Sequence, residues 1–149
     1  MTLTLGPGVR AAIEQHGREA YPHECCGALL GDGTRVVAVH ALPNVTTEGP
    51  RRRFRVDDRD YMAAEREAGV RGLSLLGFYH SHPDHPAEPS QYDLDHAWPT
   101  FVYPIVSIRE GRPDALRAWS LRDDRSRFDE RDVVDEADSG GTPAAGPAS

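Results

Sequence analysis

From Leu73 to His80 the chain reads Leu-Ser-Leu-Leu-Gly-Phe-Tyr-His, an apolar run that follows Gly72 and leads straight into a histidine-rich segment. Such a run predicts a buried central strand, because a strand covered on both faces is apolar at nearly every position. Cys26 to Leu30 and Arg35 to Leu42 are two further apolar runs, separated by Gly31-Asp32-Gly33, whose Asp-Gly pair signals a hairpin turn. Phe101 to Ile108 and Ala115 to Leu121 predict a second hairpin around Glu110-Gly111-Arg112-Pro113, and Phe54-Arg55-Val56 a short strand.

Helices are expected between these strands. Pro7 followed by Val9, Ala12, Ile13, His16 and Ala20 has helical spacing, which predicts an amphipathic helix over residues 8 to 20 that Pro22 ends. Asp57 is placed to cap a helix carrying Tyr61, Met62, Ala64 and Glu65 to about Ala68. Ser90 can cap a short helix to about Ala97, stopped by Trp98-Pro99. The alternation argues for an α/β sandwich with a mixed sheet, without internal repeats. From about Asp135 the chain turns to small, Pro and acidic residues that cannot bury enough to fold. We therefore expect one domain over residues 1–135 and a disordered tail over 136–149.

A chain of 149 residues can fold as one domain without disulfides. Its net charge of -7 argues against a non-specific nucleic-acid binder, whose phosphate affinity needs Lys and Arg. Arg51-Arg52-Arg53 is the one basic cluster, and between Pro50 and Phe54 it reads as a solvated loop or the start of a strand. Lysine is absent, which excludes Schiff-base lysine chemistry and a phosphate-binding P-loop. Cys25 and Cys26 are adjacent, badly placed to bridge each other, and have no other partner; a reducing compartment is implied. The N-terminus lacks a basic, then uninterrupted apolar pattern, and no segment reaches the roughly 18 apolar residues of a membrane span. A cytoplasmic protein without membrane contact is expected.

The chemistry-bearing segment is His80-Ser81-His82-Pro83-Asp84-His85-Pro86-Ala87-Glu88-Pro89-Ser90-Gln91-Tyr92-Asp93. Two histidines at i and i+2 of a strand end share a face about 7 Å apart at the backbone, within reach of one ion. A bare His-x-His also suits a surface or core pair. Here a Pro-rich turn brings Ser90 and Asp93 back, offering a carboxylate as third ligand. Two imidazoles and a carboxylate leave tetrahedral zinc an open position, the mark of a catalytic site. The water there needs a nearby base that does not bind the metal. Glu24 fits that role if its strand lies beside the one carrying His80. Against these readings, Glu24 could be an inconsequential acid, and Ser-x-x-Asp before a helix could be a capping box serving only backbone amides. His23-Glu24 does not begin a His-Glu-x-x-His motif, since residue 27 is Gly. His85 is expected at the rim or facing substrate, and His23 as a neighbour of Glu24. His16, His40 and His96 are expected on helix or strand surfaces. Cys25 or Cys26 would pack under the site as a small hydrophobe.

The spacing His-x-His-x7-Ser-x2-Asp with an upstream Glu resembles the JAMM (MPN-plus) metallopeptidases. The resemblance covers roughly residues 8 to 122, including Glu24-Cys25-Cys26-Gly27, Gly77-Phe78-Tyr79 and Tyr103-Pro104-Ile105-Val106-Ser107. It implies a mixed sheet sandwiched between helices, similar to cytidine deaminases, although the Pro-Cys-x-x-Cys half-site of those enzymes is missing. It further implies that His80, His82 and Asp93 bind one zinc ion, that Glu24 moves the water proton to the leaving amine, and that Ser90 hydrogen-bonds the oxyanion. The compact form resembles proteases acting just after the C-terminal Gly-Gly of ubiquitin-like sulfur-carrier proteins. Release of cysteine or a short extension from such a carrier is the activity implied, by a monomer or a homodimer. Two other readings compete with it. A non-catalytic scaffold binding a ubiquitin-like partner would usually lack ligand residues, and a RadC-like protein would usually read His-Asn-His-Pro-Ser-Gly after a helical N-terminal domain.

Overall fold

A computed structural model describes residues 2–44 and 58–136. The strand expected at Phe54-Arg55-Val56, the Arg51-Arg52-Arg53 cluster, the Asp57 cap and the tail residues 137–149 lie outside the described residues. The elements are β1 (Thr2–Leu5), α1 (Val9–Ala20), β2 (Cys26–Asp32), β3 (Arg35–Leu42), α2 (Asp58–Val70), β4 (Ser74–Pro83), α3 (Gln91–His96), β5 (Val102–Arg109), β6 (Arg112–Leu121) and β7 (Phe128–Asp135).

β4 is central, as its apolar run predicts. It pairs antiparallel with β2, Cys26 opposite His80, and parallel with β5, His80 opposite Ile105. Parallel neighbours need a long crossover, and here the crossover is the histidine-rich loop plus α3. That connection brings Asp93 back over the end of β4. The sheet runs β1-β3-β2-β4-β5-β6-β7 and closes into a barrel. Closure comes from β1, which pairs parallel with both β3 and β7. The fold is α/β with a mixed sheet, and its closure is a feature the sequence reading did not contain. β1 is only four residues long, and its alternation shows as Leu3 and Leu5 pointing into the core. The charged stretch Phe128–Asp135 has little apolar pattern to announce a strand.

The sheet has apolar cover on both faces, so side chains alternate between two cores. Val9 and Ile13 of α1 pack with Leu29, Tyr79, Val106 and Ile108. Ala64 and Ala68 of α2 pack with Ala28, Leu30, Phe78 and Tyr103. Successive residues Leu29 and Leu30, and Phe78 and Tyr79, thus serve opposite cores. Tyr79 lies over Gly27, where a Cβ would stand 2.3 Å from the ring, so β2 admits only glycine there. Tyr61, Phe78, Trp98 and Phe101 form an aromatic cluster, with Tyr61 5.1 Å from Trp98 and Phe78 5.7 Å from Trp98. This cluster fixes the chain just after α3.

Both predicted hairpins form. Glu110 and Gly111 take φ of 51° and 84° between β5 and β6, the left-handed pair a two-residue primed turn requires. The first hairpin turns at Gly33-Thr34, one residue later than the Asp32-Gly33 expectation, because Asp32 pairs with Arg35. His16 is not a plain surface residue. The buried stripe of α1 is Val9, Ile13 and Gly17, which turns half-buried His16 inward until Nδ1 lies 2.6 Å from Tyr79 Oη. His96 does stay on the surface of α3, stacked 4.0 Å from the Tyr92 ring. No helix among the described residues is long and apolar enough to cross a membrane.

Candidate metal centre

His80 and His82 leave β4 on one face, both buried, with ring centroids 4.9 Å apart. Asp93, in the first turn of α3, is buried against them. His80 Nε2 and His82 Nε2 are 3.1 Å apart, and Asp93 Oδ2 lies 3.3 Å and 3.2 Å from them. Three ligands of tetrahedral zinc, each bonded at about 2.0–2.1 Å, would stand about 3.3–3.4 Å apart. The triangle therefore has nearly the edges of a zinc ligand set.

Its hydrogen bonding favours a cation over a purely internal network. His82 Nδ1 is 2.9 Å from the Pro86 carbonyl oxygen. A carbonyl only accepts, so Nδ1 carries the hydrogen, and neutral His82 presents a lone pair at Nε2. That lone pair faces Asp93 Oδ2 and His80 Nε2. A proton between two of these atoms serves one edge of the triangle, whereas a metal ion serves all three. Burial pushes the His80 pKa down despite the attraction of Asp93, which leaves the imidazole in the neutral form a metal binds. Burial opposes ionisation of Asp93, but positive charge facing Oδ2, from a proton on His80 or His82 and equally from a bound cation, outweighs it and holds the carboxyl below the usual carboxylate range. The Pro86 carbonyl behind His82 and the Ser90 amide, which donates to Asp93 Oδ2 at 2.9 Å, are the outer partners that orient such ligands.

Glu24 is the second buried carboxylate here. The register that sets Cys26 opposite His80 brings Glu24, two residues earlier, toward His82. One ligand atom each from Glu24, His80 and His82 all fall within 4.8 Å of one another. Two ligand trios can thus be drawn, one with Asp93 and one with Glu24. The edges of the first are 3.1 to 3.3 Å, and the two trios share both imidazoles. The condition for Glu24 to matter, a strand beside β4, is met.

Ser90 caps α3. Its Oγ accepts from the Asp93 amide at 3.1 Å while Asp93 Oδ2 accepts from the Ser90 amide, a closed capping box. Capping and metal-facing readings coexist, since the same Oδ2 points at both imidazoles. A hydroxyl that accepts from an amide also keeps its own hydrogen to donate. Ser90 is exposed on a cleft of about 400 Å³ lined by Glu24, His82, His85, Pro86, Ser90 and Tyr92. His85 is exposed at this cleft, the rim position expected of it.

The cysteines are core residues. Burial pushes the Cys25 thiol up to about 11 and the Cys26 thiol up to about 12, so neither is a ready nucleophile. Supports that the sequence does not announce come from β5, β6 and the β6–β7 connection. Trp119 Nε1 donates to the Ala87 carbonyl at 3.0 Å, Ser107 Oγ to the His85 carbonyl at 2.6 Å, and Arg125 Nη1 to the Ala97 carbonyl at 2.6 Å. No local pattern marks these residues, because each acts across the fold.

The barrel thus gathers two strand-end imidazoles and a helix carboxylate into one set of metal-ligating side chains. The sequence matches the family of prokaryotic homologs of the JAB domain over residues 7–122, and the chain belongs to that family. It is a hydrolase of the JAMM metallopeptidase type. A desampylase of Haloferax volcanii is 37% identical over 112 residues, 70% of this chain and 80% of that protein. A probable TtuB-protein conjugate cleaving protease of Thermus thermophilus is 31% identical over 121 residues, 81% of this chain and 77% of that protein. The solution structure of a Salinibacter ruber protein, 43% identical, superposes with a TM-score of 0.71 over 92% of this chain and 94% of that one.

Proposed function

We propose that this chain is a zinc peptidase or isopeptidase that cuts the amide bond after the C-terminal Gly-Gly of a ubiquitin-like sulfur-carrier protein. The observation that carries the metal assignment is the triangle of His80, His82 and Asp93, with edges of 3.1, 3.2 and 3.3 Å. These three residues would hold the ion. Bound there, zinc supplies a Lewis acid that polarises the scissile carbonyl and makes water a nucleophile near neutral pH.

The remaining work falls to the chain. Glu24, buried at the floor of the cleft, takes the proton of the attacking water and returns it to the leaving amine. Ser90 donates its free hydroxyl hydrogen to the oxygen on which negative charge develops, where a fixed donor gains strength. His82 is held in the metal-binding tautomer by the Pro86 carbonyl. A Gly-Gly tail suits the cleft, since residues without side chains let the backbone approach the ligands closely. A relative named desampylase and one named a probable TtuB-protein conjugate cleaving protease support a protein-conjugate substrate. A cytoplasmic location belongs to the same proposal, supported by the two free, buried cysteines.

The test is zinc content by elemental analysis, in wild type and His80→Ala purified without a metal-affinity tag, followed by incubation with Gly-Gly carrier fusions. About one equivalent in the wild type, lost in the variant, is expected of a single tetrahedral site. A wild type that takes up no zinc after reconstitution, or that leaves every carrier fusion from its own organism intact, overturns the proposal.

A further inference from the structure

The segment that carries Glu24, residues 21 to 25, joins α1 to β2 and is tied at both ends to the part of the chain that carries His82. At its inner end the Cys25 amide donates to Ser81 Oγ at 2.9 Å, and the Ser81 amide donates to the Cys25 carbonyl at 3.1 Å. At its outer end Tyr21 Oη donates to Asp84 Oδ2 at 2.7 Å. Ser81 and Asp84 flank His82 in sequence. Glu24 is therefore suspended between two clamps, one on either side of an imidazole it must face. Asn44 Nδ2, 3.3 Å from the Glu24 carbonyl, adds a longer contact from the other side.

The outer clamp is itself anchored. Asp84 Oδ1 accepts from the Glu110 amide at 2.7 Å, and the Asp84 amide donates to the Ile108 carbonyl at 2.7 Å. Both carboxylate oxygens and the amide are engaged, and the residue sits at a left-handed φ of 57°, a conformation Asp tolerates better than most residues. The β5–β6 hairpin thus holds Asp84, and Asp84 holds Tyr21. These hydrogen bonds run between the 21–25 segment, the end of β4 and the β5–β6 hairpin, whereas the members of the His80–His82–Asp93 triangle are carried by β4 and α3.

We infer that Tyr21 and Asp84 are positioning residues: their hydrogen bond sets the distance of Glu24 from the metal-facing imidazoles without contributing to the metal site. The inference rests on the reading of Glu24 as the base. It separates two properties that a general structural role would change together, metal retention and placement of the base.

The experiment uses the full-length chain, as wild type, Tyr21→Phe, Asp84→Asn and Glu24→Gln. Hydrogen exchange at the Cys25 amide is followed by NMR, zinc content by elemental analysis, and turnover on a Gly-Gly carrier fused to a reporter peptide. Tyr21→Phe removes one oxygen and is expected to speed exchange at Cys25 about fivefold, a local opening of the clamped segment. Zinc content is expected to stay at the wild-type level. The turnover number should fall about tenfold with KM unchanged, a fraction of the loss that a full ångström of misplacement causes. Asp84→Asn leaves a group the tyrosine hydroxyl can still pair with, since a hydroxyl both donates and accepts, and should move Cys25 exchange less than Tyr21→Phe does. Unchanged Cys25 exchange in Tyr21→Phe, or loss of zinc in it, overturns the inference. If Glu24→Gln turns over normally, the base assignment has failed. If Glu24→Gln is inactive while Tyr21→Phe has wild-type turnover, only the clamp has failed.

Discussion

Two buried carboxylates approach the same pair of imidazoles from different parts of the molecule, and the contrast between them organises the site. Asp93 arrives on a helix of six residues, too short to be stable alone. It is pinned at its start by the capping box and at its end by Arg125, which donates to the Ala97 and Leu94 carbonyls at 2.6 and 3.2 Å. Glu24 arrives on a connecting segment clamped to β4. Asp93 Oδ2 lies 3.3 Å and 3.2 Å from the His80 and His82 Nε2 atoms, whereas Glu24 offers an oxygen within 4.8 Å of both imidazoles. Under the proposed function these two identical functional groups divide into ligand and base. Residue type alone does not make that distinction.

The sharpest way to break the contrast is to exchange the losses. Asp93→Ala should remove both zinc and turnover, read by elemental analysis and cleavage assay. Glu24→Gln should keep zinc and lower the turnover number by about a thousandfold, within the range for a general acid–base group. If Glu24→Gln released the zinc and Asp93→Ala kept it, the two roles would be reversed.

Ser90 lies on the Asp93 side and carries two roles of different size. Ser90→Ala should reduce the turnover number by about a hundredfold through the lost donor. It should also cost about 1 kcal/mol of stability through the lost cap. Urea unfolding and steady-state kinetics measure the two separately, and a stability loss with unchanged turnover would leave Ser90 as a cap alone.

The Glu24 side adds a pH-dependent effect through the two residues that follow it. Cys25 and Cys26 have their thiol pKa values raised from an ordinary 9.0 to about 11 and about 12, chiefly by burial. A raised folded value means the folded state holds its proton longer than the unfolded one. The stability so contributed is complete below pH 9 and is lost as pH rises toward the folded values. Stability should therefore fall between about pH 9 and 11, by up to about 1.4 kcal/mol per pH unit for each thiol. Chemical denaturation across that range checks it, and alkylation of the folded protein at pH 8 should be slow. Rapid alkylation there would place at least one thiol outside the core.

Local patterns carried much of this molecule. The apolar run into His80 and His82 foretold β4 and the shared face of its two imidazoles, because alternation along a strand is a property of neighbouring residues. Ser90 and Asp93 were legible as a cap, and the Glu110-Gly111 turn as a hairpin, for the same reason. The spacing from His80 to Asp93 also carried the family resemblance. What the sequence left open were the events between residues far apart in the chain. β1 closes the barrel by pairing with a strand some 130 residues away, a contact no window of periodicity contains. His16, beside the buried stripe of Val9, Ile13 and Gly17, is turned inward by a partner from β4, Tyr79, that lies 63 residues away. Arg125, Trp119 and the Tyr21–Asp84 clamp were invisible because their residues are ordinary in sequence and become specific by the partner the fold brings to them. The sequence by itself determined which side chains with metal-binding chemistry would share a strand end. Tertiary structure alone brought the two carboxylates to those imidazoles, since that depends on how α3 and the 21–25 segment are anchored across the sheet.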